Sequence, residues 1–228
     1  MAFPIAALRR YPVKSMGGES LLAADLDGRG IVGDRWYAVR DGAGHFASGK
    51  DTRRFRRYDG VFDYSAVTGP DGVVVTGPEG SWPVGDPELD RVLASALTVP
   101  VTVVTERSVP HFDAGSVSLV GAATLRWCTE QFGIDADPRR LRVNVVVDSD
   151  EPFAEEAWVG RDLRIGTALL RGVERIERCR TIDVAQDGTP ADGRWLKPLA
   201  AARDMCVALY AEVVTPGSIR VGDEVELA

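Results

Sequence analysis

The stretch "FDYSAVTGPDGVVVTG", Phe62 to Gly77, decides the fold class. Two runs of β-prone residues flank Gly69-Pro70-Asp71-Gly72, the turn chemistry that joins neighbouring antiparallel strands. The segments on either side repeat the pattern. Upstream, "LRRYPVKS", "SLLAADL", "GDRWYAVRD" and "HFAS" are short strand-like runs separated by glycine-rich turns. Downstream, "VPVTVVTE", "RLRVNVVVD", "DLRIGTALLRGVERIERC", "DMCVALYAEVV" and "IRVGDEVEL" read as further strands. Two segments break the β pattern. "DPELDRVLASAL" predicts a helix, with Asp86 as its cap, Pro87 in its first turn and an apolar stripe of Leu89, Val92, Leu93, Ala96 and Leu97. "GAATLRWCTEQFG" predicts a second helix closed by Gly133. The expectation is a mostly β protein with a few helices (α+β), divided into residues 1–105 and 106–228, with the division falling after the first helix.

The chain has 228 residues, 45% of them hydrophobic, so it can bury a sizeable core. No apolar run approaches the roughly 20 residues needed to span a bilayer. The N-terminal "MAFPIAALRRYPVKS" has no basic region ahead of its apolar run, so the expected location is cytoplasmic, without a membrane partner. A formal net charge of −7 argues against a nucleic-acid partner. The charge is uneven, however. "RRFRR", "RRLR" and "ERIERCR" are locally basic, and together they allow one focused anion pocket in an acidic chain. "GHFASGKD", Gly44 to Asp51, fits a nucleotide loop as far as Lys50. The next residue is an acid instead of Ser or Thr, so the segment is read as a turn.

Three cysteines and two histidines narrow the chemistry. The odd cysteine count, the wide spacing and the absence of CxxC argue against a disulfide framework and a structural zinc site. Cys128 lies among Leu125, Trp127 and Phe132 and reads as a core residue. Strand alternation puts Cys206 on one face with Ala208 and Tyr210, again as packing. Cys179, in "RIERCRTIDV", stands between Arg178 and Arg180. Neighbouring cations favour a thiolate, which is both a nucleophile and a soft metal ligand. The competing reading is a buried strand cysteine whose arginines point the other way. In "YPVKSMGGES", Lys14 and Ser15 beside Gly17-Gly18 suit an oxyanion. Arg35, in "GDRWY", suits bidentate contact with an anion. In "RLRVNVVV", alternation puts Arg142 and Asn144 on one strand face.

Taken in order, "YPVKS", "GDRWY", "LRVNVVV", "RC" and "TPGSIRVGDEVEL" resemble the MOSC-domain proteins along essentially the whole chain. That group includes the C-terminal domain of molybdenum-cofactor sulfurase and the amidoxime-reducing component. The resemblance implies a MOSC N-terminal β-barrel domain packed on a β-barrel-like MOSC domain, and a molybdenum cofactor. It implies Cys179 as the protein ligand to molybdenum, with Lys14, Ser15, Arg35, Arg142, Asn144, Arg178 and Tyr210 around the cofactor. In "LVGAATL", Thr124 is the nearest hydroxyl for the cofactor phosphate, with Ser116 and Ser118 slightly upstream. The expected activity is reduction of a small N-hydroxylated or N-oxygenated substrate. Electrons would come from a separate donor protein of ferredoxin or flavoprotein type, because no cysteine-clustered extension follows. The alternatives are a sulfur carrier with a Cys179 persulfide, and a binding protein that delivers the cofactor without chemistry. The loops Asp148 to Trp158 and Ala185 to Trp195 are expected to set specificity.

Overall fold

The computed structural model describes residues 3–191 and 193–227. The predicted hairpin is present: Ser65–Gly69 pairs antiparallel with Gly72–Gly77, with Gly69 opposite Gly72. Gly72 closes the turn at φ +121, a conformation that side-chain-bearing residues rarely adopt. Gly80–Pro83 completes a three-stranded sheet. A four-stranded sheet lies beside it, in the order Val101–Thr105, Tyr37–Asp41, Phe46–Ser48, Phe55–Arg57. The helix Pro87–Leu97 packs on these sheets, with Leu89, Val92, Leu93 and Leu97 buried. The Asp86 side chain caps it by accepting from the Glu88 N–H at 2.8 Å.

An eight-stranded mixed sheet forms the other half. Its order is Val225–Leu227, Asp162–Ile165, Ala168–Glu177, Cys206–Thr215, Val117–Gly121, Val145–Val147, Ile5–Arg10, Glu19–Leu21. The first strand of the chain therefore lies inside the sheet of the C-terminal half, paired with Val145–Val147. Ala23–Asp27 likewise pairs with Gly217–Arg220. The core of this half includes Ile5, Leu8, Leu26 and Ile31 from the N-terminus, packed with Val117, Leu119, Trp158, Leu163 and Leu209. The halves distinguished in the sequence are interleaved in space.

The second helix runs Ala122–Phe132 and ends at Gly133 in the left-handed region, as its sequence predicts. Cys128 is fully buried in it, and burial pushes that thiol up to about 12, which agrees with a core role. Three strand readings need correction. "RLRVNVVVD" does not begin as a strand. Pro138–Leu141 is a helical turn, capped by the Asp137 side chain on the Arg139 N–H, and Arg142 ends it at φ +54. The strand proper is Val145–Val147, so Arg142 and Asn144 are not brought together by strand alternation. The Asp137-Pro138 start signal prevails over the β-prone run that follows. Second, Ala208 takes φ +75 within Cys206–Thr215, and the pairing with Ala168–Glu177 shifts register nearby. Val207, Ala208 and Leu209 are consecutively buried, and Cys206 is left half-buried. Third, the strand carrying "RIERC" stops at Glu177, so Cys179 stands just beyond it, at the start of a 3-10 turn Arg180–Asp183. Among the described residues, no helix is long and apolar enough to cross a membrane.

Candidate functional site

Cys179 lies in a depression of about 770 Å³, partly open to solvent, where the two halves meet. The ends of several strands and turns supply its walls. Lys14 and Ser15 come from the turn after the first strand, and Arg35 from the turn before Tyr37–Asp41. Arg142 and Asn144 precede Val145–Val147, Arg178 and Cys179 follow Ala168–Glu177, and Tyr210 comes from Cys206–Thr215. Every one of these residues named from the sequence lines the cleft. Thr124 does not. It is fully buried at the start of the helix Ala122–Phe132, where its hydroxyl donates to Glu155 Oε2 at 3.0 Å and accepts from the Phe153 N–H at 2.7 Å. Thr124 is the nearest hydroxyl to the helix start where the resemblance implies a phosphate contact, but the helix carries it into the core, and it is the upstream Ser118 that lines the cleft.

Among the described residues, six cationic side chains line the cleft, Lys14, Arg35, Lys50, Arg140, Arg142 and Arg178, against two carboxylates, Asp113 and Glu177. This concentration occurs in a chain of net charge −7. Asp113 bridges two of the cations, with Oδ1 at 2.6 Å from Lys14 Nζ and Oδ2 at 3.0 Å from Lys50 Nζ. Burial would raise the Asp113 carboxyl, but the two ammonium groups outweigh it and hold the group far below the usual carboxylate range. The lysines respond in opposite directions. Lys14 is 5% exposed, and burial lowers it to about 8 despite Asp113. For Lys50, burial also lowers the value, but the attraction of Asp113 prevails and raises it.

The guanidinium groups are held by carbonyls and an aromatic ring. Arg142 donates to Met16 O at 2.7 Å and Arg35 donates to Arg142 O at 2.9 Å. Arg35 also pairs with Asp34. Both arginines stack on Tyr11, at 5.0 Å for Arg35 and 4.4 Å for Arg142, and this ring is fully buried. Arg178 donates to Val207 O at 3.0 Å and to Leu141 O at 2.8 Å, while its Nη2 is buried without a hydrogen-bond partner. Burial lowers Arg142 and Arg178 to about 10. These groups have given up water without full compensation from the protein, and a bound anion would supply it.

The two arginines beside Cys179 part company. Arg178 lines the cleft, whereas Arg180 turns to the N-terminal half, donating to Gly49 O at 3.2 Å and pairing with Asp59 at 2.6 Å. The Cys179 thiol donates to Thr181 Oγ1 at 3.3 Å, and Lys50 and Arg178 are the cations in electrostatic reach of its sulfur. Ser15 takes φ +69, and its hydroxyl hydrogen is donated to Ala47 O at 3.0 Å. Asn144 is buried and bonded to Ser118 through Oδ1 at 2.9 Å, and to Arg9 O through Nδ2 at 3.3 Å. Both residues therefore shape the wall with most of their polar capacity already used. Tyr210 lies against the same cations, and burial raises its phenol.

Sequence reasoning did not single out Ser48, Lys50, Asp113, Arg140 or Thr181, all of which line the cleft. Lys50 sits in the "SGK" run set aside as a turn, where the lysine faces an anion site of another kind. Arg140 belongs to a basic run that was noticed but not placed. Of the two loops expected to set specificity, Asp148 to Trp158 packs at the start of the helix Ala122–Phe132, through Ser149 and Glu155. Ala185 to Trp195 lies beside the cleft, with Gln186 against Arg142 and Asp187 paired to Arg9 at 2.6 Å. Asp192 lies outside the described residues. Among the described residues, no three His, Cys, Asp or Glu side chains converge to hold a metal ion.

Residues 106–226 match the MOSC domain, and residues 2–76 match the MOSC N-terminal beta barrel domain. The chain belongs to the MOSC-domain family. Its fold is accordingly mostly β, an N-terminal β-barrel domain followed by a MOSC domain. Among solved structures, the YuaD protein of Bacillus subtilis is similar at 16% identity and TM-score 0.57, covering 100% of this chain and 96% of that one. YiiM of Escherichia coli is matched at 13% identity and TM-score 0.47, over 100% of this chain and 70% of that one. No curated protein matches the sequence. The MOSC family is associated with molybdenum cofactor binding, and the residues of this cleft suit such a group. An anionic, phosphate-bearing pterin calls for donors such as the orphaned Arg178 Nη2, and a metal needs a soft ligand such as the Cys179 sulfur.

Proposed function

We propose that this MOSC protein binds the molybdenum cofactor in the cleft, with Cys179 as the protein ligand to the metal, and reduces N-hydroxylated or otherwise N-oxygenated small molecules. The observation that carries the reading is, among the described residues, one thiol set among six cationic side chains and two carboxylates, with the buried Arg178 Nη2 unpartnered. No cluster of protein ligands accompanies Cys179 among the described residues, which suits a metal that brings other ligands with it. When bound, the cofactor supplies two-electron redox chemistry at an oxygen-accepting metal.

The chain's own residues supply the rest. Arg178, Arg142 and Arg35, fixed on carbonyls and on Tyr11, offset the negative charge of the cofactor and hold it in one orientation. Thr181 Oγ1 accepts from the thiol and can donate to a thiolate, so it supports the sulfur in either state. Lys14, lowered to about 8 and held by the Asp113 carboxylate, is placed to give a proton to a leaving oxygen at neutral pH and to regain it from solvent. The conversion balances as R–NHOH plus two electrons and two protons, giving R–NH2 and water. A separate ferredoxin- or flavoprotein-type partner is the electron source in this reading.

The test is reconstitution with the cofactor, followed by measurement of bound molybdenum and of turnover. Cys179→Ser is expected to lose most of the molybdenum and at least about a hundredfold in turnover, the scale on which a group acting at the reacting atoms is felt. Equal molybdenum content in wild type and variant would overturn the ligand assignment. The partly exposed sulfur also fits a second reading, a sulfur carrier. Mass spectrometry of protein purified without oxygen separates the two: a persulfide on Cys179 supports transfer, and intact pterin with molybdenum supports reduction.

A further inference from the structure

A second depression lies on the far side of the wall that carries Lys14 and Lys50. Arg40, Arg53, Arg54 and Arg107 line it, and among the described residues no carboxylate does. Among the described residues none of these arginines has an ion-pair partner, whereas Arg9, Arg29, Arg139 and Arg203 elsewhere all pair with acids. In a chain with 34 acidic and 27 basic residues, four unpaired guanidinium groups in one trough are not the expected outcome of a mixed surface. Arg40, Arg53 and Arg107 are exposed. Val109 adds apolar surface at 44% exposure. Arginine around a small apolar patch is the composition of a protein-binding surface.

The trough lies directly behind the cleft. Both depressions have a cation on the Phe55 ring. Arg54 Cζ lies 4.7 Å from its centroid. Lys14 Nζ and Lys50 Nζ, which line the cleft, lie 4.2 and 5.4 Å from the same centroid. Arg54 also donates to Phe112 O at 3.1 Å and to Asp113 O at 2.9 Å, and the Asp113 carboxylate bridges those lysines. His111, from the trough, contacts Arg35 O at 3.2 Å, and Arg35 lines the cleft. A body seated on the trough is thus one aromatic ring away from the cationic wall of the site.

We propose that this arginine trough is the docking surface for the acidic face of a redox protein that supplies the electrons used in the cleft. The inference rests on the reading of the cleft as a redox centre. Donor molecules are oxidised there, one-electron carriers in two successive dockings, and the two electrons they give up, with two protons, convert the N–OH group to N–H and water. The trough's aromatic residues, Phe46 and His111, are 8% and 1% exposed, so it offers no stacking platform for bases and suits a folded acidic surface better than a nucleic acid. In contrast to the cleft, none of its lining residues has a buried unpartnered donor among the described residues, so it is not built for a small anion.

The test uses the cofactor-loaded protein, with a flavodoxin and a two-iron ferredoxin as acidic probes. Arg53 and Arg107 are exposed and without ion pairs, so R53E/R107E should fold normally. Binding by calorimetry should weaken by at least about tenfold in this variant, and its salt dependence should flatten. Molybdenum content and turnover with dithionite should stay at wild-type levels. The proposal is overturned if affinity changes by less than about twofold, a smaller loss than removing even one rim charge pair would bring. It is also overturned if neither probe binds the wild-type protein, or if a single-stranded RNA oligonucleotide binds the trough in their place. Trough-dependent probe binding without turnover from any reductant would overturn the redox reading of the cleft, and with it the electron-supplying role, while leaving an acidic docking surface demonstrated.

Discussion

Burial lowers Lys14 to about 8 even though its ammonium lies 2.6 Å from Asp113, because the side chain has lost nearly all its water and Arg35 stands nearby. Two consequences of opposite sign follow. An unfolded lysine titrates near 10.5, so between about 8 and 10.5 the unfolded chain holds the proton more tightly than the folded one. Stability contributed by this group therefore rises with pH across that window. Below it, the buried charge costs the fold roughly 3 kcal/mol. Anion binding moves the other way, since the cleft loses a positive charge as pH rises through about 8. Sulfate, which keeps one charge state throughout, is the clean probe. Its dissociation constant should be several-fold larger at pH 9 than at pH 7 in wild type, and nearly flat in Lys14→Met. An unchanged pH dependence in the variant would show that another group carries the effect.

At the scale of elements, the segment Ser48–Lys50 and the turn Arg180–Asp183 meet at a glycine. A Cβ on Gly49 would lie 2.4 Å from Thr181 Oγ1 and 3.3 Å from Phe62. The same approach lets Gly49 O accept from Arg180 and brings Lys50 near the Cys179 sulfur. Gly49→Ala should force these elements apart at about 1–3 kcal/mol, the usual range for overpacking. That corresponds to a fall in melting temperature of about 2–12 °C for a chain of this size, together with weaker sulfate binding. Thr181→Ala in the same chain should recover part of the loss, and strict additivity of the two changes would refute the contact as its cause. The joint also shows what could be read from the chain alone. The Gly69–Gly72 turn, the Asp86-Pro87 helix start and the Gly133 stop were legible because each signal lies within a few residues of what it controls. Cys179 was legible because its flanking charges are unusual. Lys50 and Asp113 were not, since their roles exist only once strand pairing brings distant segments to one wall. Arg142 was assigned to a strand because the apolar run after it masked the Asp137-Pro138 helix start. Thr124 was chosen by nearness in sequence, and a helix turned it toward Glu155.

At the scale of the molecule, hydrogen bonding crosses the division between the matched N-terminal and MOSC segments. Ile5–Arg10 fills an interior place in the eight-stranded sheet, and Ala23–Asp27 pairs with Gly217–Arg220. Ile5, Leu8, Leu26 and Ile31 are each at most 3% exposed in the core they share with the C-terminal strands. Burying a side chain of this size contributes about 1.5–3 kcal/mol. The four together therefore match the 5–15 kcal/mol net stability typical of a whole domain. Without them, Val145–Val147 and Gly217–Arg220 would also present unpaired backbone edges, which invite aggregation. A fragment of residues 106–228 is expected to lack a cooperative thermal transition and to aggregate. The same fragment joined through a flexible linker to residues 1–31 should regain a native-like circular dichroism spectrum and a single transition. The anion cleft should return only in part, because Lys50 lies in the omitted segment and the Lys14 turn would have lost its pairing with Tyr37. Cooperative melting of the 106–228 fragment alone would show that the C-terminal strands close their own core, and that the first strand is an addition to the MOSC domain instead of part of it.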